Sequence, residues 1–234
     1  LRHIPPARLF EEVMKLFMGG HAEATFELLR RYGLFKELFP ATEKALLKNS
    51  PSNDPLSNDS LFACELIRQA MRNTDKRIRE KKRVTPAFIY ATLLWPPLLA
   101  ELRQTDKAKL PPIAAQQQSA QTVIGHQLAR TAIPKRFLSF IREVWDLQWR
   151  LERRQGKRAE RVFEHPRFRA AYDFLLLREQ SGEDLNGLGQ WWTNYQQADP
   201  EQRRKMSREP LLEGDKPRRR RRSGPRKALN PAAS

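Results

Sequence analysis

The sequence predicts an all-α protein: an irregular multi-helix body of about nine helices, followed by an arginine-rich tail. Apolar side chains recur at spacings of three and four along most of the chain, which is the period of an amphipathic helix. No segment alternates apolar and polar residues as a half-buried strand does, and no hairpin dipeptide joins two β-branched runs. No fixed repeat period is visible, so a regular solenoid is not indicated.

Prolines, glycines and polar clusters separate the predicted helices. Pro5-Pro6 favours a helix start, whereas Gly19-Gly20 and Gly33 favour helix ends. Residues 49–59 are predicted to form a loop, and residues 73–84 a charged connection. The predicted helices are residues 7–17, 22–32, 60–72, 87–94, 116–132, 134–154, 166–179 and 188–197. The helix at 87–94 is interrupted by Pro96-Pro97 and is predicted to resume to about residue 103.

The end of the chain has the composition of a disordered segment. Residues 216–227 hold five consecutive arginines, two prolines and one glycine but no aromatic residue. Such a segment cannot bury enough apolar surface to offset its chain entropy, so disorder is predicted over roughly 208–234. We interpret the tail as a polyanion-binding arm rather than a solubilising extension, because of Arg218, Arg219, Arg220, Arg221 and Arg222.

The net charge of +17 points to a polyanionic partner, since 44 lysines and arginines face 27 aspartates and glutamates. The excess is concentrated in two regions. Residues 201–234 carry 12 basic and 4 acidic side chains, and residues 135–178 carry 12 basic and 6 acidic ones. The remaining excess, over residues 1–134, is interpreted as ordinary surface charge.

Several kinds of chemistry have no signature in this sequence. It contains no glycine-rich phosphate loop and no Asp-x-Asp pair for two magnesium ions, and its four histidines are scattered. Its single cysteine, Cys64, excludes a disulfide framework and is interpreted as a structural thiol. We therefore predict no catalytic residue, no metal site and no cofactor within this chain.

The same composition predicts a cytoplasmic protein. One cysteine suits a reducing compartment. The sequence has no signal-peptide pattern at its start and no apolar run of about 18 residues, so no integral membrane span is expected.

The helix predicted at 134–154 carries the strongest functional signal. Its apolar side chains, such as Phe137, Val144 and Leu151, fall on one arc of a helical projection, and its basic side chains fall opposite. The basic surface is predicted to continue past the helix. We interpret it as a phosphate-binding surface formed by Lys135, Arg136, Arg142, Arg150, Arg153, Arg154, Lys157, Arg158, Arg161, Arg167 and Arg169.

The alternative is a merely solvated charged face, since Glu143 and Asp146 share the basic arc. Phosphate binding is favoured because arginine dominates and acids are outnumbered. Trp149 lies beside the arc, where it either stacks on a base or packs at the edge of the core. No helix-turn-helix signature stands out, so single-stranded nucleic acid is favoured over duplex.

Six segments of the chain form a familiar pattern: 4–16, 32–40, 73–78, 133–137, Arg-Arg-Gln-Gly-Lys-Arg at 153–158 and Glu-His-Pro-Arg-Phe-Arg-Ala-Ala-Tyr-Asp at 164–173. With the arginine-rich tail, they resemble the part of bacterial poly(A) polymerases that follows the catalytic head. These enzymes are relatives of the CCA-adding enzymes among class II nucleotidyltransferases. The resemblance covers nearly the whole chain, and the last two segments separate the two groups.

The resemblance implies a helical neck, body and RNA-binding end of an enzyme that adds AMP from ATP to RNA 3′ ends without a template. The family's head carries a Gly-Ser and an Asp-x-Asp, which bind the triphosphate and two magnesium ions. Neither has a counterpart here, so ATP and Mg²⁺ are expected only for a full-length member. Arg8 and Glu12 match a later neck motif and are expected to brace their helix. Because the chain begins at Leu1 rather than Met, we expect it to be a fragment.

Four parts are expected: the end of the neck and start of the body (1–50), the helical body (51–132), the basic RNA-binding region (133–207) and the tail (208–234). The expected partners are single-stranded RNA 3′ ends, with RNA-decay proteins as further candidates. One alternative is a non-catalytic basic module that binds RNA, an acidic protein or a ribosome surface. A second, binding of anionic membranes through the tail, is disfavoured because the apolar face of the 134–154 helix suits a core.

Overall fold

The computed structural model describes residues 4–47, 58–105 and 110–208. These ranges contain thirteen helices and no strand, which confirms the all-α prediction. The predicted disordered tail lies outside the described residues, except for Arg208. The helices are α1 (Pro6–Phe17), α2 (Ala22–Arg31), α3 (Phe35–Leu38), α4 (Pro40–Leu47), α5 (Asn58–Arg79), α6 (Pro86–Leu93), α7 (Trp95–Gln104), α8 (Pro112–Leu128), α9 (Lys135–Leu151), α10 (Lys157–Phe163), α11 (Phe168–Gln180), α12 (Leu188–Gln197) and α13 (Pro200–Arg208).

The described residues hold more helices than the nine or so expected from periodicity. The additional ones, α3, α4, α10 and α13, have 4, 8, 7 and 9 residues. A helix this short shows only one or two turns of apolar spacing, so its period is hard to recognise. The Pro96-Pro97 pair opens α7, because proline fits the first turn of a helix, where no intrahelical N–H bond is needed.

Helix α5 runs on to Arg79, through part of the segment predicted to be a charged connection. Asp75 explains the difference: its carboxylate accepts hydrogen bonds from the backbone N–H groups of Ala22 (2.6 Å) and Glu23 (3.1 Å) at the start of α2. A residue that resembles a helix breaker in the sequence therefore caps another helix. Two residues after the end of α5, Lys81 lies in the left-handed region, at φ 55°.

Two hydrophobic cores are built around α9. The larger contains apolar side chains from α1 to α9 together with Phe174 and Leu177 of α11. The smaller joins Leu147 and Leu151 of α9 to side chains of α10, α11 and α12. Helix α9 thus contributes its first half to one core and its last turns to the other.

A buried polar cluster connects α9 to α11 beside these cores. The Gln148 amide donates to the Ala171 carbonyl at 3.0 Å, and the Arg178 guanidinium donates to the Gln148 side-chain oxygen at 3.1 Å. Arg178 is only 5% exposed, and two of its N–H groups donate to Glu183. Because every charge in the cluster is paired, the cations available for a ligand lie elsewhere.

Candidate nucleic-acid interface

Helix α9 buries the face that the sequence predicts to be apolar. Ile141, Val144 and Leu151 are fully buried, whereas Arg142 and Arg150 are exposed. The remaining predicted cations lie at the start of α9 and between its end and the start of α11. Lys135, Arg136, Arg153, Lys157, Arg158, Arg161 and Arg169 are exposed, and Arg154 and Arg167 are half-buried. The five predicted tail arginines, 218–222, lie outside the described residues.

The structure places several of these cations in three separate hollows. Arg167 and Arg169 line one, and Arg150 and Arg153 line another. The third contains Lys157 beside Arg203, Arg204 and Arg208 of α13. Arg154 lies instead over the ring of Trp191, at 5.3 Å from its centroid.

The first hollow is the most basic, and we call it the α5–α11 groove. It has a volume of about 630 Å³ and lies between the end of α5, the connection to α6, and the start of α11. It also contains the acids Glu80 and Asp173. Its six cations outnumber them and are Lys76, Arg77, Lys82, Arg83, Arg167 and Arg169.

Four of those cations, at positions 76 to 83, belong to the excess interpreted above as ordinary surface charge. Packing of α5 against α11 brings them to Arg167 and Arg169, about ninety positions later in the chain. The Lys81-Lys82-Arg83 run was the available sequence signal. The proximity of this run to α11 depends on tertiary packing, which the spacing of apolar residues does not predict.

Aromatic rings order the α11 side of the groove. The Arg167 guanidinium lies 5.2 Å from the centroid of Phe140 and donates to the Glu143 carboxylate at 3.1 Å. Arg169 lies 5.5 Å from the ring of Tyr172 and forms an ion pair with Asp173 at 3.1 Å. Phe88 and Phe140 line the groove, so it offers both cations for phosphates and apolar surface for bases.

The ion pairs in the groove are partly exposed. Burial raises the pKa of Asp173 above its usual value, against the opposing effects of Arg169 and Arg77. On the other side, the hydrogen bond from Lys82 lowers the pKa of Glu80. Exposed pairs of this kind contribute little to stability.

The connection that carries Lys82 and Arg83 is fixed by its own backbone. The Lys82 N–H donates to the Arg77 carbonyl at 2.8 Å, and the Lys81 N–H donates to the Ile78 carbonyl at 2.9 Å. This pair of bonds, with a left-handed residue between helix and loop, forms a Schellman-type helix end. The two cations are therefore held at the rim of the groove before any ligand arrives.

Gly156 sets the start of α10, and with it the position of Lys157. Its φ of 59° and ψ of −142° lie in a region that residues with a Cβ avoid. Its N–H donates to the carbonyl of Ser207 at 2.9 Å, which ties α10 to α13. In the hollow between these helices, the Arg203 guanidinium lies 4.2 Å from the ring centroid of Phe163.

The described ranges contain no group of three or more histidine, cysteine, aspartate or glutamate side chains that could hold a metal ion. Within the same ranges, no helix is both long and apolar enough to cross a membrane. Cys64 is half-buried, and burial raises the pKa of its thiol. Its Sγ accepts from the Arg30 guanidinium at 3.4 Å, as a structural thiol does.

Two family models match this chain. The one described as "Polymerase A arginine-rich C-terminus" matches residues 108–227, about half of the chain. The chain belongs to the poly(A) polymerase family. A second model, described as "Probable RNA and SrmB- binding site of polymerase A", matches residues 1–46. The groove therefore joins α11, inside the first match, to the end of α5, which lies between the two.

Curated poly(A) polymerases align with nearly all of the chain. Poly(A) polymerase I of Salmonella typhimurium is 41% identical over 231 residues, which cover 97% of this chain and 47% of that protein. The enzyme of the same name from Escherichia coli O157:H7 is 40% identical over 230 residues, with the same coverage. That of Haemophilus influenzae is 36% identical over 211 residues, covering 89% and 45%. The chain thus spans about half the length of these relatives.

Proposed function

We propose that this chain holds single-stranded RNA in the α5–α11 groove. The observation that carries the proposal is the convergence of Lys82 and Arg83 with Arg167 and Arg169 on one hollow that also has aromatic lining. A single strand presents both phosphates and unpaired bases, and a basic groove with aromatic surface suits both. The strand continues over the exposed cations of α9 and α10 and the arginines of the tail.

Salt dependence of binding tests the electrostatic part of the proposal. Each phosphate neutralised on a single strand adds about 0.7 to the slope of log affinity against log salt, so about eight contacts give a slope near −6. Filter binding of oligo(A) to the 234-residue chain measures that slope. A flat response contradicts the proposal, and equal affinity for duplex DNA contradicts the single-strand preference.

A triple variant locates the strand. Lys82→Ala, Arg83→Ala and Arg169→Ala together remove three groove cations and should reduce the magnitude of the slope by about 2. The matched control is Arg79→Ala, Lys81→Ala and Arg130→Ala, which removes three exposed cations that do not line the groove. Equal loss in both variants would place the RNA outside the groove.

We further propose that the full-length protein is a cytoplasmic enzyme that adds AMP units from ATP to RNA 3′ ends. ATP and Mg²⁺ would be bound by a catalytic head that these residues do not contain. The present chain would then hold the RNA so that its 3′ end reaches that head, which is catalysis by positioning.

Primer extension tests this division of labour. The chain alone, with ATP and Mg²⁺, should not extend an RNA primer, and the full-length protein should do so. In the full-length protein the groove variant should raise KM for RNA more than it lowers kcat, because the groove binds substrate without contacting the reacting atoms. Robust extension by the chain alone would contradict the proposal.

We also propose that the chain binds a protein partner. The candidates are SrmB, which is named by the family model that matches residues 1–46, and RNA-decay proteins. Within that segment, Leu28 is 50%, Tyr32 69% and Leu34 44% exposed, and exposed apolar side chains this close in sequence favour a protein contact. Changing Leu28 and Tyr32 to Ser should abolish SrmB pull-down and leave RNA affinity unchanged. Retained pull-down would contradict this proposal.

A further inference from the structure

A second hollow lies on the other flank of α9, between the end of α7 and the start of α8. We call it the α7–α9 hollow. Its volume is about 370 Å³, within the range of small-ligand sites. Its walls include Leu102, Leu110 and Ile113, and Ile113 is 61% exposed at the rim. An apolar concavity with a few polar groups is the usual form of a binding pocket.

Trp149 lines this hollow and differs from Trp145 and Trp192 of the cores. The indole N–H of Trp145 donates to the Ala91 carbonyl and that of Trp192 to the Leu151 carbonyl, each at 3.1 Å. Trp149 is half-buried, and its N–H has no acceptor among the described residues. Its polar end is thus not used to fasten the fold, while its ring surface borders an open pocket.

A carboxylate supplies the polar specificity of the hollow. Asp146 is half-buried in the lining, and one of its oxygens accepts from the Gln116 amide at 3.0 Å. Within the described ranges, Gln116 is its one hydrogen-bond donor, so the second oxygen is available to an N–H donor from a ligand. Burial raises the pKa of Asp146, against the opposing effects of Arg150 and Arg142.

Cations complete the hollow. Arg150 and Arg153 line it, both are exposed, and neither has an ion pair among the residues described. Exposed guanidinium groups in this position can bind a phosphate next to a base in the pocket, although the charge of Arg150 also acts on Asp146. Aromatic surface, a hydrogen-bond acceptor and flanking cations match the three parts of a nucleotide in a strand: base face, base edge and phosphate.

We propose that the α7–α9 hollow is a nucleobase subsite of the bound RNA, selective for bases that carry an exocyclic amino group. The proposal rests on the proposed RNA-binding function. The base stacks along Trp149, its amino group donates to Asp146, and its phosphate pairs with Arg150 or Arg153. Uracil has no exocyclic amino group, and the carbonyl oxygens on both sides of its N3–H are repelled by the Asp146 carboxylate, so a uridine pairs less well with that oxygen.

The test compares oligo(A), oligo(U) and an abasic oligomer of the same length at one salt concentration. Ile113→Trp covers the rim of the hollow. Since base–aromatic stacking is typically the larger part of such a contact, this variant should weaken oligo(A) binding about tenfold. Oligo(U) should lose less affinity than oligo(A), because uracil stacks on Trp149 but pairs less well with Asp146, and binding of the abasic strand should stay within about twofold of wild type. Leu61→Trp, at a 69% exposed position of α5 outside the hollow, is the matched control and should change nothing.

A second variant tests the role of the carboxylate. Asp146→Asn keeps an oxygen for Gln116 but offers the base an amide of neutral charge, so the preference for oligo(A) over oligo(U) should fall at least about threefold. Circular dichroism should show that helicity is retained. Unchanged discrimination in both variants overturns the proposal.

The outcomes distinguish a failure of this proposal from a failure of the proposed RNA-binding function. If wild-type chain binds no RNA, the proposed function fails. If it binds RNA but Ile113→Trp weakens all three oligomers equally, or none, the hollow is not a base subsite. If none of the three is weakened, the α7–α9 hollow would instead suit a side chain of a protein partner.

Photocrosslinking of the unaltered chain gives an independent measurement that does not depend on any variant folding. A strand containing 8-azidoadenosine should crosslink to peptides from residues 110–117 or 146–153. Crosslinks confined to other peptides would overturn the proposal.

Discussion

The guanidinium of Arg77 donates two hydrogen bonds to the backbone carbonyl of Arg83, from Nε at 3.1 Å and from Nη2 at 2.9 Å. The fork spans six residues and ties the end of α5 to the connection that precedes α6. Only arginine has two N–H groups in the fixed geometry that this contact uses. Arg77 is therefore a positioning residue for the groove as well as one of its cations.

Arg77→Lys should keep the charge and lose the fork. We expect RNA affinity to fall about threefold, because a lysine ammonium cannot make both bonds and Lys82 and Arg83 become less well placed. Filter binding at fixed salt measures the loss, and hydrogen exchange of residues 80–85 should rise. Arg79→Lys is the control, and an equal effect there would contradict a positioning role for Arg77.

Asp75→Ala should destabilise the fold by about 1–2 kcal/mol, since it removes the acceptor for two N–H groups at the start of α2. Urea denaturation followed by circular dichroism measures the free energy of unfolding. Asp75→Asn retains one acceptor oxygen and should lose less. Equal stability of the alanine variant and the wild type would show that the cap is dispensable.

Gly156→Ala should cost about 1–3 kcal/mol of stability from backbone conformation alone. A Cβ at this position meets no atom within 4 Å, so no steric clash contributes. Gly125 in α8 is the matched control, because a Cβ there also meets open space but the backbone is helical. Gly125→Ala should stabilise by about 0.5–1 kcal/mol. Similar effects at both positions would contradict the conformational explanation.

Asp146→Asn should stabilise the protein at neutral pH. Burial raises the pKa of the folded carboxyl, so the folded state holds its proton more tightly than the unfolded state does. Stability then falls as pH rises from the ordinary aspartate pKa through the raised value. The asparagine variant lacks this loss, and its advantage should be under about 1 kcal/mol, given partial exposure, and should vanish near pH ~4. Urea denaturation across a pH series measures it, and a pH-independent difference would contradict the assignment.

Periodicity predicted α9 well because its apolar side chains meet the cores at helical spacing. It failed at Asn73–Asp75, where the sequence favours a turn. Thr74 there donates to the Ala70 carbonyl inside α5, and Asp75 caps α2. A helix break and a long-range cap use the same residue types, so a single sequence does not distinguish them.

The candidate site was predicted in part for a related reason. Arg167 and Arg169 follow a recognisable motif, whereas Lys82 and Arg83 become groove cations only because α5 packs against α11. The four-part division of the chain and the roles of the individual cations stay predictions. Trp149 was placed beside the basic arc from the sequence, but the pocket it lines also needs α7 and α8, which no helical projection of α9 includes.

Helix α9 contributes to both cores, and this makes the protein hard to take apart. A cut or recombination point within or just before the helix would remove apolar side chains from a core. The larger core would lose residues such as Ile141, or the smaller core residues such as Leu151. Exchange of a segment between relatives would therefore succeed only if α9 were transferred together with the helices that pack against it in both cores. Single substitutions of exposed cations and pocket-rim residues are an easier way to change RNA preference, because they leave both cores intact.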